Sequence, residues 1–460
     1  MLLWWWIVCF WGFIIPYNIT SALGWSFHIR EKYVKFITWL SRTIGNIGKR
    51  PVKVDTSEAT QHHPVTIATL PHNRSFGTFK KEFQLSDACG FVTNGLQVIV
   101  EDHVTKCFTT EELTEWNFLA RTRTGQEKMG VKHWILFCLS IVVRYSLFLF
   151  IRIPIGITGL LWLAGTMAVL GMLPQFSGRK KAEVYCTVVC SKILAASLTA
   201  VVKFEKEEYK PQCGGICVAN HTSPMDIAML ACNNCFTLVG QRHGGFFGML
   251  QKACDLAQKH IWFERSEAGQ RSMVSERLKD HIQDGTNNPI LIFPEGTCIN
   301  NTSVFMFKKG CFELGSTIYP VVIKYDRAYS DPFWNSSQQN LLTYLFMLMT
   351  SWAVVCDIKY LEPTTIKEHE TAIEFASRIK TAICREGGLV DLEWDGMIKR
   401  AMYDKSLQKT LQLNQEKYAS LLDLHTFDEH NSEDIEHQEE SWEDLEPRKR
   451  TVFTVGLSDQ

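Results

Sequence analysis

The sequence predicts an α/β fold, a mixed sheet covered by helices and preceded by N-terminal membrane helices. Two observations carry that expectation. From about residue 184 onward, short apolar runs alternate with stretches of helical periodicity, the pattern of strands and covering helices in one layered domain. Upstream, uncharged apolar runs occupy residues 2–23 and 153–173, each close to the ~20 residues that cross a hydrocarbon core.

Composition sets the outer bounds. With 460 residues, 46% hydrophobic and 12% aromatic, the chain can bury one large core or two domains. Forty-eight basic residues against 49 acidic leave a net charge of −1, so no global field points to nucleic acid and none is expected as a partner. Fifteen cysteines are scattered along the chain and read as reduced, cytosol-facing thiols.

Residues 1–25 read as a membrane anchor. The run LLWWWIVCFWGFIIPYNITSAL carries no charge, and Arg30, Lys32 and Lys35 follow it rather than precede it as in a signal peptide. Residues 26–132 are expected to be a cytosolic or interfacial region, in which Ile29, Tyr33, Phe36, Leu40, Ile44 and Ile47 recur at helical spacing. That stripe fits a helix packed on protein or lying on a membrane surface. Residues 133–175 are expected to form a membrane hairpin from the run 134–151, interrupted by Arg144, and the run IPIGITGLLWLAGTMAVLGML at 153–173. A mid-span arginine costs on the order of 2.5–3.5 kcal/mol, which makes the first run the weaker of the two. A hairpin returns the chain to its starting side and leaves Arg179, Lys180 and Lys181 in the cytosol.

Residues 184–405 form the α/β domain. Strands are expected at 214–220, 237–240, 261–264, 290–293, 319–324 and 354–360, with a helix marked by Met273, Val274, Leu278 and Ile282. The apolar run 341–355 is short for a span and is expected to be a buried or interface-grazing helix leading into a strand. The acidic tail, residues 425–460, is expected to be disordered and carries no chemistry.

Two strand ends hold the candidate chemistry. In NHTSPMD, residues 220–226, Ser223, Pro224 and Asp226 fit an N-cap, N1 and N3 of a helix. That leaves His221 in the loop, where Asp226 can reach its far nitrogen, fix the tautomer and stabilise the imidazolium. Two-thirds of a Ser-His-Asp triad would then be present, with a substrate hydroxyl as the third member. In FPEGT, residues 293–297, Gly296 permits a tight bend, and Glu295 and Thr297 can bond hydroxyls or phosphate oxygens. Between them lies WFERSE, whose Arg265 can pair with a phosphate or with a neighbouring glutamate.

Together these stretches resemble the four motifs of the HX4D glycerolipid acyltransferases: His221 to Asp226, WFERSE, FPEGT and YPVVIKY, in the family's order. The wider stretches VANHTSPMD, LIFPEGTCINNTSVFMFKKG, NGLQVIVEDHVT and EWNFLARTR are similar to the endoplasmic-reticulum type of glycerol-3-phosphate acyltransferase, from about residue 80 to about 405. The resemblance implies that His221 is the general base on the sn-1 hydroxyl of glycerol 3-phosphate, with Asp226 orienting it. It implies that Arg265, Glu295, Gly296 and Thr297 hold the phosphate and that Pro320 shapes the acyl or CoA side of the cleft. It further implies acyl-CoA as cosubstrate, no metal or other cofactor, a lipid bilayer as partner, and a multi-pass protein of the endoplasmic-reticulum membrane facing the cytosol. A hairpin anchor also permits lipid-droplet association. Two alternatives stand beside this reading: a lysophosphatidate acyltransferase using the same base, and a noncatalytic membrane scaffold. The sequons at Asn220, Asn300, Asn301 and Asn335 read as unmodified, because a glycan at Asn220 would obstruct the base.

Overall fold

The structure, a computed structural model, describes residues 2–24, 28–45, 103–110, 131–174, 176–242, 260–263 and 270–396, and the single positions 92, 119, 244, 245, 248, 251, 252, 255, 399 and 413. The chain divides into two units, Met1–Pro71 with Asp102–Gln408 and His72–Glu101 with Lys409–Gln460. Every element below belongs to the first. The acidic tail, Ile47 and nearly all of 51–102 lie outside the described residues.

Helices lead the chain. The uncharged N-terminal run forms α1 (Leu2–Ala22), and α2 (Ile29–Gly45) follows. Tyr33, Ile37, Leu40 and Ile44 of α2 pack against Trp352 and Ala353, so the helix is docked on protein. Its inward face is rotated from the expected stripe, because Ile29 and Phe36 point outward beside Trp39. After a single helical turn at His103–Lys106, α3 runs from Val131 to Met172, α-helical at Val131–Val143 and Leu149–Met172 with a π-helical turn at Arg144–Phe148 between.

That continuity corrects the hairpin expected over 133–175. No turn separates the two apolar runs, Val143 and Leu149 keep helical angles, and Pro154 is held inside the helix just beyond the π-turn, where such irregularities are commonly absorbed. Arg144 is accommodated by facing protein, at 2% exposure. The fold-back comes one step later, where α4 (Arg179–Ser197) returns antiparallel along α3 and Trp162 Nε1 donates to the Cys186 carbonyl at 3.2 Å. Gly159 permits the close approach, since a Cβ there would stand 3.0 Å from Ile193.

The α/β domain then runs β1 (Val201–Glu205), β2 (Ile216–Ala219), α5 (Met225–Leu230), β3 (Thr237–Gln241), β4 (Ile261–Phe263), α6 (Gln270–Gln283), β5 (Ile290–Ile292), β6 (Ser303–Val304), β7 (Ile318–Tyr325), α7 (Leu341–Met349), β8 (Val355–Tyr360), α8 (Ala372–Gly387) and β9 (Val390–Asp391). Seven strands make one sheet in the order β1-β8-β7-β2-β5-β3-β4, parallel except for the antiparallel pair β7–β8. All six expected strands are present, and the sheet is mixed, as the sequence predicts. Unforeseen were edge strand β1, whose VVKFE alternates buried and open positions rather than forming an apolar run, and the two-residue strands β6 and β9, which pair with each other.

Strand β2 is buried on both faces. Cys217 and Ala219 pack with Leu198, Met229, Tyr344 and Leu348, while Ile216 and Val218 pack with Phe375, Ile379 and Ile383 of α8. Helices on both faces explain why this strand reads as continuous rather than alternating hydrophobicity. Because β2 and β5 are parallel neighbours, the loops that follow them leave the sheet side by side, where α/β sheets place their sites.

One buried cation docks the helical layer on this domain. Arg152 of α3, 4% exposed, donates to the carbonyls of Met349 and Trp352 and to Thr199 Oγ1, each at 2.8 Å, and also to the Ser351 carbonyl. Three of those acceptors lie at the C-terminal end of α7, whose last carbonyls lack helical donors. Replacing Arg152 by Met leaves them unsatisfied at about 1–3 kcal/mol each. Arg152→Met is therefore expected to unfold at least roughly 5 °C below the parent in detergent, as read by a thermal melt.

Candidate active site

As β2 ends, Asn220 continues the sheet with its side chain: Nδ2 donates to the Ile323 carbonyl at 2.9 Å, and Ile323 N–H donates to Oδ1 at 2.8 Å. The backbone is thereby released to present His221. Pro224 begins a short helix whose Met225 N–H donates to Ser223 Oγ at 3.2 Å. Asp226, fully buried, accepts on Oδ2 from Thr222 N–H at 2.7 Å, from Ser223 N–H at 3.0 Å and from the His221 ring at Nδ1, 2.9 Å away. The helix carries Pro224 at its N-cap with no side-chain cap bond, in place of the expected Ser223, and one carboxylate oxygen both closes the preceding loop and orients the base. Tyr325, at the end of β7, donates to the remaining oxygen at 2.6 Å. Phe293 stacks on the imidazole at 4.1 Å, and the His221 side chain keeps 17% exposure.

The FPEGT turn supports the same loop from below. Glu295 is 1% exposed, and its two oxygens accept from His221 N–H at 2.8 Å and Phe305 N–H at 2.9 Å. Both are spent on backbone, so the structure turns Glu295 inward as a brace for His221 rather than toward a substrate. Gly296 adopts φ +68° and is exposed; the Lys308 ammonium lies over it, 3.1 Å from where a Cβ would stand. Thr297, half-buried, packs its methyl against Gly396, where a Cβ would come within 2.6 Å. Pro320 is buried inside β7 opposite Val218, so it belongs to the sheet beneath the loop and not to an exposed wall. Arg265 lies outside the described residues.

Remote segments clamp this loop cluster. Asn300 N–H donates to the Cys107 carbonyl at 2.9 Å, and Asn300 Nδ2 donates to the Lys106 carbonyl at 2.7 Å. Asn335 Nδ2 donates to the Phe108 carbonyl at 3.0 Å, and the Phe108 and Phe305 rings meet edge-on at 5.1 Å. From the C-terminal side, buried Lys399 donates to the Cys298 carbonyl at 3.0 Å. Asn220, Asn300 and Asn335 are thus buried amides bridging backbone, and a glycan on any of them would break the fold around the site.

Sequence reasoning missed Tyr325, Phe293, Lys308 and Lys399. Tyr325 and Phe293 stand at the ends of recognised strands, where a residue aimed at a strand-end site is expected. Lys308 had its signal in the FKKG stretch. For Lys399 no local signal exists. Among the described residues, no group of three or more His, Cys, Asp or Glu side chains gathers as a metal would need.

Burial opposes a charged His221 ring, while Cys298 and Asp226 favour it, and the balance lies above the ordinary histidine value. Glu295 is pushed up to about 8 by burial, against the pull of its two backbone donors. The cluster can therefore take a proton from a hydroxyl brought to the exposed ring edge, with the resulting imidazolium held by a carboxylate.

Two pH dependences follow. The His221 ring is raised to about 10, so activity that needs the neutral ring rises with pH above neutrality toward that value, and Asp226→Asn, by removing a charge that raises the ring's value, moves that limb to lower pH while slowing turnover about 10²-fold or more. A pH–kcat profile reads both. Glu295 has a folded value above its unfolded 4.5, so it takes stability away as pH climbs from about 4.5 to about 8. Glu295→Gln removes that slope and also leaves one backbone N–H facing an amide, costing about 1–3 kcal/mol; thermal melts across the pH range test this.

An Acyltransferase family model matches residues 201–324, which run from β1 to β7. The chain is 42% identical over 424 residues to the glycerol-3-phosphate acyltransferase 3-like protein of Danio rerio, covering 89% of this chain and 94% of that relative. It is 46% identical over 396 residues to glycerol-3-phosphate acyltransferase 4 of Bos taurus, covering 83% and 87%. Among solved structures it is similar to the 1-acyl-sn-glycerophosphate (LPA) acyltransferase PlsC from Thermotoga maritima, with a TM-score of 0.41 and 18% identity over 54% of this chain and 96% of that one. With identity above 40% sustained over nearly nine-tenths of its length, the chain belongs to the glycerol-3-phosphate acyltransferase family.

Proposed function

We propose that the protein moves a fatty acyl group from acyl-CoA to the sn-1 hydroxyl of glycerol 3-phosphate, giving lysophosphatidate for phospholipid and triacylglycerol synthesis. The observation that carries this reading is the His221–Asp226 contact of 2.9 Å at the C-terminal end of a central strand, with the imidazole edge open and the carboxylate sealed from water.

In the proposed reaction, His221 takes the hydroxyl proton as the oxygen attacks the thioester carbonyl carbon. The tetrahedral intermediate collapses by breaking the C–S bond, and the imidazolium returns the proton to the CoA thiolate. Asp226 remains an acceptor throughout, fixed by its three other donors, Thr222, Ser223 and Tyr325, so it orients the ring without itself becoming protonated. No metal or prosthetic group enters this chemistry; acyl-CoA is the cosubstrate.

For the acceptor's phosphate, Thr297 and the Gly296 backbone offer hydrogen-bonding groups, Arg265 is a further cation, and Lys308 supplies an ammonium directly over the turn. Glu295 acts through the His221 backbone. The helical layer supports work at a membrane, where the acyl chain is most concentrated, and we assign the protein to the endoplasmic reticulum with its α/β domain on the cytosolic side.

Purified full-length protein is to be given oleoyl-CoA with glycerol 3-phosphate and, in parallel, with lysophosphatidate. Acylation of glycerol 3-phosphate, lowered about 10²–10⁴-fold in His221→Ala, is expected. Preference for lysophosphatidate would move the enzyme one acylation later, and activity unchanged in His221→Ala would overturn the assignment of the base. Lys308→Met is expected to raise KM for glycerol 3-phosphate about tenfold, the scale of one charged hydrogen bond, with a smaller change in kcat.

A further inference from the structure

We infer that Lys399 is a positioning residue for the base: through the Cys298–Ile299 peptide its ammonium sets the backbone of His221. The inference rests on His221 being the base and is indifferent to which acceptor is acylated.

His221 is held by both of its backbone groups. Its N–H donates to Glu295 Oε1 at 2.8 Å, and its carbonyl accepts from Ile299 N–H at 2.9 Å. The peptide that supplies the second bond is the one whose oxygen Lys399 engages, with Nζ donating to the Cys298 carbonyl at 3.0 Å. A trans peptide is planar, with its C=O and N–H pointing in opposite directions. An ammonium that fixes the oxygen therefore aims the N–H at His221, and a charged donor on the carbonyl also polarises the N–H that donates onward. Cys298, Ile299 and Lys399 are all buried, which leaves no bulk water to replace any of the three groups.

The chain after α8 runs as a strap alongside this loop. Val390 N–H donates to the Thr302 carbonyl at 2.9 Å, Leu392 N–H to the Val304 carbonyl at 3.0 Å, and Met306 N–H to the Trp394 carbonyl at 3.0 Å. Gly396 then crosses the FPEGT turn too closely for any side chain: a Cβ there would lie 2.6 Å from Thr297 Cγ2 and 3.0 Å from the Glu295 carbonyl oxygen. Lys399 N–H returns to the Gly396 carbonyl at 3.2 Å, a single turn that seats the side chain beside the Phe108 and Phe333 rings, whose centres lie 5.8 and 5.2 Å from the ammonium. Burial pushes the Lys399 pKa below the ordinary lysine value, while the two ring faces favour a cation. An apolar side chain would fill the same slot, but it would leave the Cys298 oxygen without its donor.

The test compares Lys399→Met, Lys399→Arg and Phe333→Leu in the purified full-length protein, with whichever acceptor the parent acylates faster, each assayed well below its own melting temperature. Lys399→Met keeps the length of the side chain and loses the donor; kcat is expected to fall about tenfold to a hundredfold, the cost of a small misplacement of a reacting group, with KM for acyl-CoA and for the acceptor changed by less than about twofold. Lys399→Arg keeps a donor and the ring contacts and is expected to recover most of the parent kcat. Phe333→Leu loosens the slot without removing the donor, and is expected to lower the melting temperature while kcat holds. Placed in His221→Ala, Lys399→Met is expected to lower the residual rate by less than about twofold, because a residue that acts through the base has nothing left to act on. Lys399→Gln, one atom shorter and out of reach of the carbonyl, gives the same reading where Lys399→Met does not fold. An unchanged kcat in the donor-lacking variant, a rise in KM instead of a fall in kcat, equal kcat losses in Lys399→Met and Phe333→Leu, or a full Lys399→Met loss in the His221→Ala background would each overturn the inference. His221→Ala alone reports on the base, so an error in that assignment shows separately.

Discussion

A carboxylate taken wholly out of water must be surrounded by donors, and the site is organised around meeting that demand at Asp226. Its donors come from the loop it terminates, from the ring it orients and, 99 residues later in the chain, from Tyr325 at the end of β7. The loop after β2, the first turn of α5 and the end of β7 must therefore be in place together. The same carboxylate that holds the loop ahead of a six-residue helix also sets which nitrogen of His221 is basic. Closure of this loop and orientation of the base are thus not separable in this protein.

Glu295 repeats the arrangement on the other side of the base. One buried acid holds the imidazole and another holds the backbone behind it, so His221 is fixed at both ends while its ring edge stays open. Only short loops intervene between these groups and parallel strands β2 and β5, which places the rigidity of the sheet directly beneath the reacting group.

Much of this was legible in the sequence, and the reason is local. Six strands announced themselves because a sheet covered on both faces needs near-continuous apolar runs, and His221 and Asp226 because loop closure and orientation share one short spacing. What escaped was decided at a distance. The stripe of α2 was read with Phe36 inward, but the buried face is the one Trp352 meets. The hairpin over 133–175 failed because apolar length and charge say nothing about whether a chain bends, and Arg144 found a protein-facing side instead of a turn. Glu295 looked like a ligand group by its residue type; only the positions of the His221 and Phe305 N–H groups show that both its oxygens are taken.

The clamp on the FPEGT loop has a consequence for the order in which the protein becomes itself. Its holding groups lie 194 residues before Asn300, at Lys106, and 101 residues after Cys298, at Lys399. During synthesis the helical layer is complete by Ser197, when none of the sheet yet exists, and the sheet is complete by Tyr360, while Lys399 is still unmade. The helical layer is therefore made before the chain can gather its loops around His221, and the last anchor arrives only after the sheet is complete.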